Sequence, residues 1–139
     1  MKISAIILAA GGSKRMKDIN KLLLLIKNKP LISLVCETFL DVEIHKLILV
    51  IGYQYQNIVE LISSNKIEIV KNRIWEKGMM SSIHAGIRKL YSDIKELFNE
   101  FEENHSIFSE KGNKAAGGRA RKAIGEIKKL VTDYRKAVS

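Results

Sequence analysis

The sequence predicts an α/β fold, a doubly wound parallel sheet followed by an α-helical hairpin, on three observations. Residues 2–10 and 46–51 form almost continuously apolar runs, as strands buried on both faces require. Glycine closes each run, Gly11 and Gly12 after the first and Gly52 after the second. Segments of helical period separate the runs, and the charge pattern changes near residues 90–93.

The elements follow in chain order. The first strand is 2–10. Pro30 occupies the first turn of a helix, with Leu31, Leu34, Val35, Thr38 and Phe39 at helical spacing. The second strand is 46–51, and a second helix over 54–64 sets Ile58, Leu61 and Ile62 on one face. Ile67 and Ile69 mark a short third strand ending near Asn72. Ser81 and Ser82 are placed as N-caps of a third helix carrying Ile83, Ile87 and Leu90. A β-α-β-α-β-α order implies parallel pairing with right-handed crossovers.

Beyond the change in charge, Ile94, Leu97, Phe98, Phe101 and Phe108 share a helical face. Lys111-Gly112-Asn113 is a turn signal. Ala116, Ala120, Ala123, Ile124, Ile127, Val131 and Tyr134 line one side of the last helix, opposite Arg119, Arg121, Lys122, Lys128 and Lys129. Gly117 and Gly118 cost about 1 kcal/mol each against alanine, so the first turns are expected to fray. The organisation expected is therefore a segment 1–91 followed by a hairpin 92–139.

Composition narrows the function classes. With 139 residues and 46% hydrophobic content, the chain has enough apolar material for a packed core. The single cysteine cannot form an internal disulfide. No apolar run is long enough to span a bilayer, and no cleavage-site pattern follows the first one. A cytoplasmic protein without membrane contact is the expectation. The net charge of +9 suits phosphate-bearing partners, nucleotide or nucleic acid, and equally a solvated lysine-rich surface.

In a doubly wound sheet, ligands bind beyond the carboxyl ends of the strands. The segment there reads Leu8-Ala9-Ala10-Gly11-Gly12-Ser13-Lys14-Arg15-Met16, with Lys21 following. Small residues let backbone N–H groups approach an anion closely. Arg15 offers a planar fork to phosphate oxygens and Lys21 a mobile point charge, so both are candidate catalytic groups that stabilise charge at an attacked phosphate. The pattern is neither GxxxxGK[ST] nor GxGxxG. Its structural alternative is a tight turn with solvated lysines.

The run from Leu8 to Met16 with Lys21 resembles the LAAGxSxRM…K signature of the molybdenum-cofactor nucleotidyltransferase family. Lys29-Pro30-Leu31-Ile32 is similar to its GKPLI element, and Val50-Ile51-Gly52-Tyr53 to the end of its second strand. NRIWEKGMMSSI, Asn72 through Ile83, resembles its N-x-x-W-x-x-G-M-x-x-S-I stretch, especially of the cytidylyltransferase branch. The resemblance covers about the first two-thirds of the chain. It implies a nucleotide-diphospho-sugar-transferase-like Rossmann half that binds CTP or GTP and transfers a nucleotidyl group to molybdopterin with magnesium. Leu8, Ala9, Ala10, Gly11, Gly12, Ser13, Arg15 and Lys21 would then bind the triphosphate, and Gly78 and Ser82 would flank base or ribose.

Two departures stand out. Lys17 occupies a position where the family usually has glycine. After Leu90 the family pattern stops, and the strand with an Asp-x-Pro motif that holds magnesium is not found; Asp93 lies in helical context. The truncated sheet would leave the first strand as an apolar edge, from which self-association is expected. Catalysis by this chain alone is expected to be very slow or absent.

The hairpin carries a second resemblance. Glu110-Lys111-Gly112-Asn113-Lys114-Ala115-Ala116-Gly117, Arg119-Ala120-Arg121-Lys122-Ala123 and Glu126-Ile127-Lys128-Lys129-Leu130 are similar to bacterial linker-histone-like nucleoid proteins. That implies sequence-nonspecific DNA binding, with Lys114, Arg119, Arg121 and Lys122 on phosphates. The structural alternative is a solvated helix face. Joined reading frames are a third possibility, predicting a join near codon 91. His45, His84 and His105 are too scattered for metal spacing, and Trp75 is read either as a base-stacking ring or as packing after the third strand.

Overall fold

A computed structural model describes residues 3–17 and 19–138. Lys2, placed at the start of the first strand, and Ser139, at the end of the hairpin, lie outside the described residues. The chain forms two compact units, Met1–Gly86 and Ile87–Ser139.

The first unit is built on a three-stranded parallel sheet. Strand β1 (Ser4–Ala9) leads through two short 3-10 turns, Lys14–Met16 and Lys21–Leu23, to a small hairpin of β2 (Leu25–Ile26) and β3 (Lys29–Pro30). Helix α1 (Leu31–Leu40), β4 (Lys46–Ile51), α2 (Tyr55–Val59) and β5 (Ile67–Lys71) follow. The turn Trp75–Lys77 then precedes α3, Met79–Lys111. The sheet order is β1-β4-β5, with Ala5 opposite Leu47 and Leu49 opposite Ile69. Central β4 is apolar on both faces because both are covered: residues 47 to 51 are fully buried. Burial of each of Ile48, Leu49 and Ile51 contributes roughly 1.5–3 kcal/mol.

Alternation divides the sheet cleanly. Ala5, Ile7, Ala9, Leu47, Leu49, Ile51, Ile67 and Ile69 join Ile32, Cys36 and Ile58 of α1 and α2 in one core. The other face receives the start of α3. A Cβ on Gly86 would lie 2.7 Å from Ile6 Cγ2 and 3.4 Å from Val50 Cγ2, so only glycine lets the helix settle there.

The second unit is a helical hairpin. Gly112, at φ 61°, turns the chain, and the Asn113 side chain caps α4 (Lys114–Ala137) by accepting the Ala116 N–H at 3.1 Å. The helices approach closely where Gly117 meets Phe108, whose Cδ2 is 2.8 Å from a hypothetical Gly117 Cβ. Arg119 Nε donates to Asn104 Oδ1 at 2.7 Å, while Asn104 Nδ2 donates to the Glu100 carbonyl. No helix among the described residues is long and apolar enough to cross a membrane.

Several expectations are corrected. Pro30 ends β3 and caps α1 rather than lying inside the helix. Helix α2 stops at Val59, because Leu61 and Ile62 bond three residues back and Ser63-Ser64-Asn65 offers no further apolar face. Helix α3 begins at Met79, so Ser81 and Ser82 stand in its first turn and do not cap it. The charge change at 90–93 falls within that unbroken helix. Gly117 and Gly118 lie inside regular helix.

The buried faces are also rotated slightly from those expected. In α4 the buried side runs through Ala116, Gly117, Ala120, Ala123, Leu130 and Asp133, leaving Ile124 and Val131 exposed. In α3, Phe98 and Phe108 are exposed, while Asp93 and Asn104 are buried. The hairpin β2–β3 has no counterpart among the elements expected. Its turn uses Lys27 and Asn28, both at positive φ, where glycine is the usual signal.

Candidate functional site

The site forms where β1 ends. Alternation points Leu8 and Ala10 to the α3 side of the sheet and sends Ala9 into the opposite core. Ala10 is held by its carbonyl, which accepts the Tyr53 N–H at 3.0 Å just past β4. Gly11 and Gly12 then leave the sheet. Ser13 adopts φ 50°, and its carbonyl accepts the Met16 N–H at 2.7 Å, closing the Lys14–Met16 turn. Lys17 also adopts positive φ, 44°, a conformation that glycine takes most easily.

The loop returns through Lys21. Its N–H donates to Ser13 Oγ at 3.2 Å, so this hydroxyl braces the turn in addition to any ligand role. Asn20 is buried and caps the Lys21–Leu23 turn through its side-chain oxygen, with Nδ2 buried and unpartnered among the described residues. Arg15 and Lys21 are exposed.

The opposite wall comes from the connection between β5 and α3. Buried Asn72 donates through Nδ2 to Ser81 Oγ at 2.8 Å and Ser82 Oγ at 3.0 Å, and its Oδ1 accepts the Ile74 N–H. Ser81 Oγ in turn donates to the Gly78 carbonyl at 2.7 Å. These bonds explain the spacing of asparagine and serines: one side chain ties the end of a strand to the first turn of the next helix. The short chain between them, bearing Trp75, Glu76 and Gly78, is thereby fixed.

Between the walls lies a cavity of about 340 Å³ lined by Leu8, Ala10, Gly11, Gly12, Lys14, Trp75, Glu76, Gly78, Met79 and Ser82. Of the residues singled out in the sequence, it gathers Leu8, Ala10, Gly11, Gly12, Trp75, Gly78 and Ser82. Ala9 points away, and Ser13, Arg15 and Lys21 belong to the flanking loop outside the cavity lining. Lys14, Glu76 and Met79 escape sequence reasoning; each sits inside a quoted motif, but only the fold turns it inward. Loop N–H groups, a lysine ammonium and the Ser82 hydroxyl suit an anion attached to a partly apolar group.

The donor set of the described residues does not by itself assemble a magnesium site. No group of three or more His, Cys, Asp or Glu is assembled among the described residues. Among the described residues Glu76 is the sole carboxylate lining the cavity and is exposed on a short turn, and Asp93 is bound to Lys89 at 2.8 Å within α3.

In the hairpin, Lys114, Arg121, Lys122 and Lys128 are exposed along α4, opposite its alanines. Arg119 is exposed as well and donates through Nε to Asn104. Lys129 pairs with Glu126.

A family model described as a MobA-like NTP transferase domain matches residues 5–98, and one described as histone H1-like protein Hc1 matches residues 88–139. No curated protein matches the chain. A solved nucleotidyl transferase from Methanothermobacter thermautotroptrophicus is similar at 25% identity and a TM-score of 0.58, over 63% of this chain and 45% of that one. The chain therefore spans less than half the length of that relative. Members of the matched transferase family generally use a divalent metal. With a glycine loop after β1, an Asn72-braced wall facing it, and a family match running from β1 into α3, the chain belongs to the MobA-like NTP transferase family.

Proposed function

We propose that the first unit binds a nucleoside triphosphate, CTP or GTP, as a nucleotidyltransferase of the molybdenum-cofactor type. The observation that carries this reading is the cavity in which the Gly11–Gly12 loop and Lys14 face Ser82 across the Asn72-braced wall. Phosphates would lie against the N–H groups of the glycine loop, with Arg15 and Lys21 closing on them from the adjacent turns. Both cations stabilise negative charge that grows as an acceptor phosphate attacks and pyrophosphate departs. Base and ribose would lie toward Gly78, Met79 and Ser82. A molybdopterin-type acceptor is part of the proposal. Turnover by this chain alone is expected to be very slow, because no preorganised carboxylate cluster accompanies the cations among the described residues.

Calorimetric titration of CTP and GTP, with and without magnesium, into the chain and its Lys21→Ala variant tests the reading. Saturable binding weakened about tenfold in the variant is expected. A folded chain that binds neither nucleotide would refute it.

A second reading concerns α4. The exposure of Lys114, Arg121, Lys122 and Lys128 on one regular helix, together with the Hc1-like match, supports sequence-nonspecific contact with DNA phosphates. Binding that does not weaken as salt rises would rule it out.

Self-association is also part of the proposal. Strand β1 pairs with β4 on one side, and among the described residues no strand pairs on its other side. Ile3 and Leu8 are 47% and 39% exposed along it. An apolar edge of this kind invites pairing with a second copy. Light scattering at high protein concentration should show dimers or larger species; a monodisperse monomer would contradict it.

A further inference from the structure

We propose that Trp75 is a positioning residue for the glycine loop: its indole, laid across Gly52 and Gly12, holds the main chain of residues 11–13 in the form that receives phosphate. This rests on the nucleotide-binding reading above and assigns the ring its role there. The contacts run the length of the side chain. A Cβ on Gly52 would lie 2.5 Å from Trp75 Cβ and 2.6 Å from Cγ, whereas one on Gly12 would lie 2.8 Å from Cζ3 and 3.1 Å from Cη2. One end of the indole is therefore seated on the chain leaving β4 and the other on the loop leaving β1.

The ring itself is held from behind. Tyr53 packs against it with centroids 5.4 Å apart, tilted by 58°, and donates its N–H to the Ala10 carbonyl where the loop begins. Asn72 and Ser81 anchor the turn that carries the indole. Beyond the Ser13 bonds to Met16 and Lys21, the glycines themselves have little to fix them. A Cβ at Gly11 would meet nothing within 4 Å, and Ser13 sits at positive φ. Glycine loops lose more conformational freedom on ordering than any other segment, so a rigid wall against them preorganises a ligand site.

The competing role, stacking on a base, makes a different prediction. A stacking ring matters only for ligands that carry a base, whereas a positioning ring matters equally for inorganic tripolyphosphate. The test uses the full chain and its Trp75→Phe, Trp75→Leu, Gly12→Ala and Gly12→Ala/Trp75→Leu variants. Two readouts are taken: exchange, without ligand, of the Met16, Lys21 and Tyr53 amides that bond to the loop, and calorimetric affinities for tripolyphosphate and CTP.

Positioning predicts that Trp75→Leu speeds exchange of these three amides about tenfold while β4 amides stay protected. It also predicts that tripolyphosphate and CTP weaken by the same factor, about tenfold, and that Trp75→Phe recovers most of both effects. Gly12→Ala should disturb the loop by displacing the ring, and adding it to Trp75→Leu should cost little more, since the clash is gone. Loss confined to CTP with unchanged exchange would overturn the proposal in favour of stacking. Unchanged exchange and unchanged affinities would overturn it outright. If the native chain binds neither CTP nor tripolyphosphate, the nucleotide reading fails, and exchange in the ligand-free variants still decides whether the ring holds the loop. The native chain's one tryptophan is Trp75, so its fluorescence reports directly on ligand entering beside it.

Discussion

The two cationic regions of this chain, the loop after β1 and the outer side of α4, differ in what holds their backbone. In the loop, Lys14, Arg15 and Lys21 surround glycines pressed by an indole and tied to the end of β4. On α4, Lys114, Arg121, Lys122 and Lys128 project from a regular helix with no concavity assigned to it. The lesson is that charge of the same sign supports different recognition. A shaped backbone selects a compact anion, whereas a charged helix follows any phosphate chain.

Glycines give the sharpest way to break this contrast. Gly52→Ala places a Cβ 2.5 Å from Trp75 and 2.8 Å from the Ala10 carbonyl oxygen, and should cost about 3 kcal/mol in urea unfolding of the sheet unit. Gly125 on α4 has nothing within 4 Å of its Cβ position, so Gly125→Ala should instead stabilise the hairpin by about 1 kcal/mol. Equal effects of the two would remove the distinction between shaped loop and plain helix.

A crossed pair of charge variants comes next in size. Lys21→Ala should weaken nucleotide about tenfold and leave DNA affinity unchanged. Arg121→Ala with Lys122→Ala should do the reverse, lowering the slope of log affinity against log salt by about 0.9 for each phosphate no longer neutralised. Weakened binding of both ligands in both variants would mean that the regions do not act separately.

The smallest effect is on pH. Burial pushes the Cys36 thiol up to about 11, with Glu37 adding to it. A raised thiol pKa means the folded state holds its proton more tightly than the unfolded chain does. Stability should therefore be level below about pH 9 and fall between 9 and 11. Cys36→Ser should flatten that fall, and alkylation of Cys36 in the folded protein should be slow at pH 8.

Much of this is legible in the chain. Strands β1 and β4 announce themselves because strands covered on both faces must be apolar throughout, β5 shows only through Ile67 and Ile69, and the small residues after β1 leave the backbone accessible. Helix α2 is shorter than its periodicity suggests because Leu61 and Ile62 keep helical spacing after the hydrogen bonds have tightened. The hairpin β2–β3 carries no signal, since Lys27 and Asn28 take a conformation that glycine usually marks.

Residues that act across distance are the least legible. Asn104 reads as one more polar residue on a charged helix, yet it is the buried partner that accepts from Nε of the exposed Arg119 across the hairpin. Asn72 is visible as part of a motif, but its work, bonding Ser81 and Ser82 at once, needs the turn to bring strand and helix together.

By itself the sequence determined the strand runs, the glycine loop and the abundance of bases, because apolar continuity, side-chain size and charge are properties of residues and their near neighbours. Tertiary structure alone decided which of those residues meet. It seated Trp75 on Gly12 and Gly52, turned Lys14, Glu76 and Met79 toward one cavity, and left Arg15 and Lys21 outside its lining. The physical reason is that such contacts join residues separated by tens of positions, and their geometry is set only when sheet and helices pack.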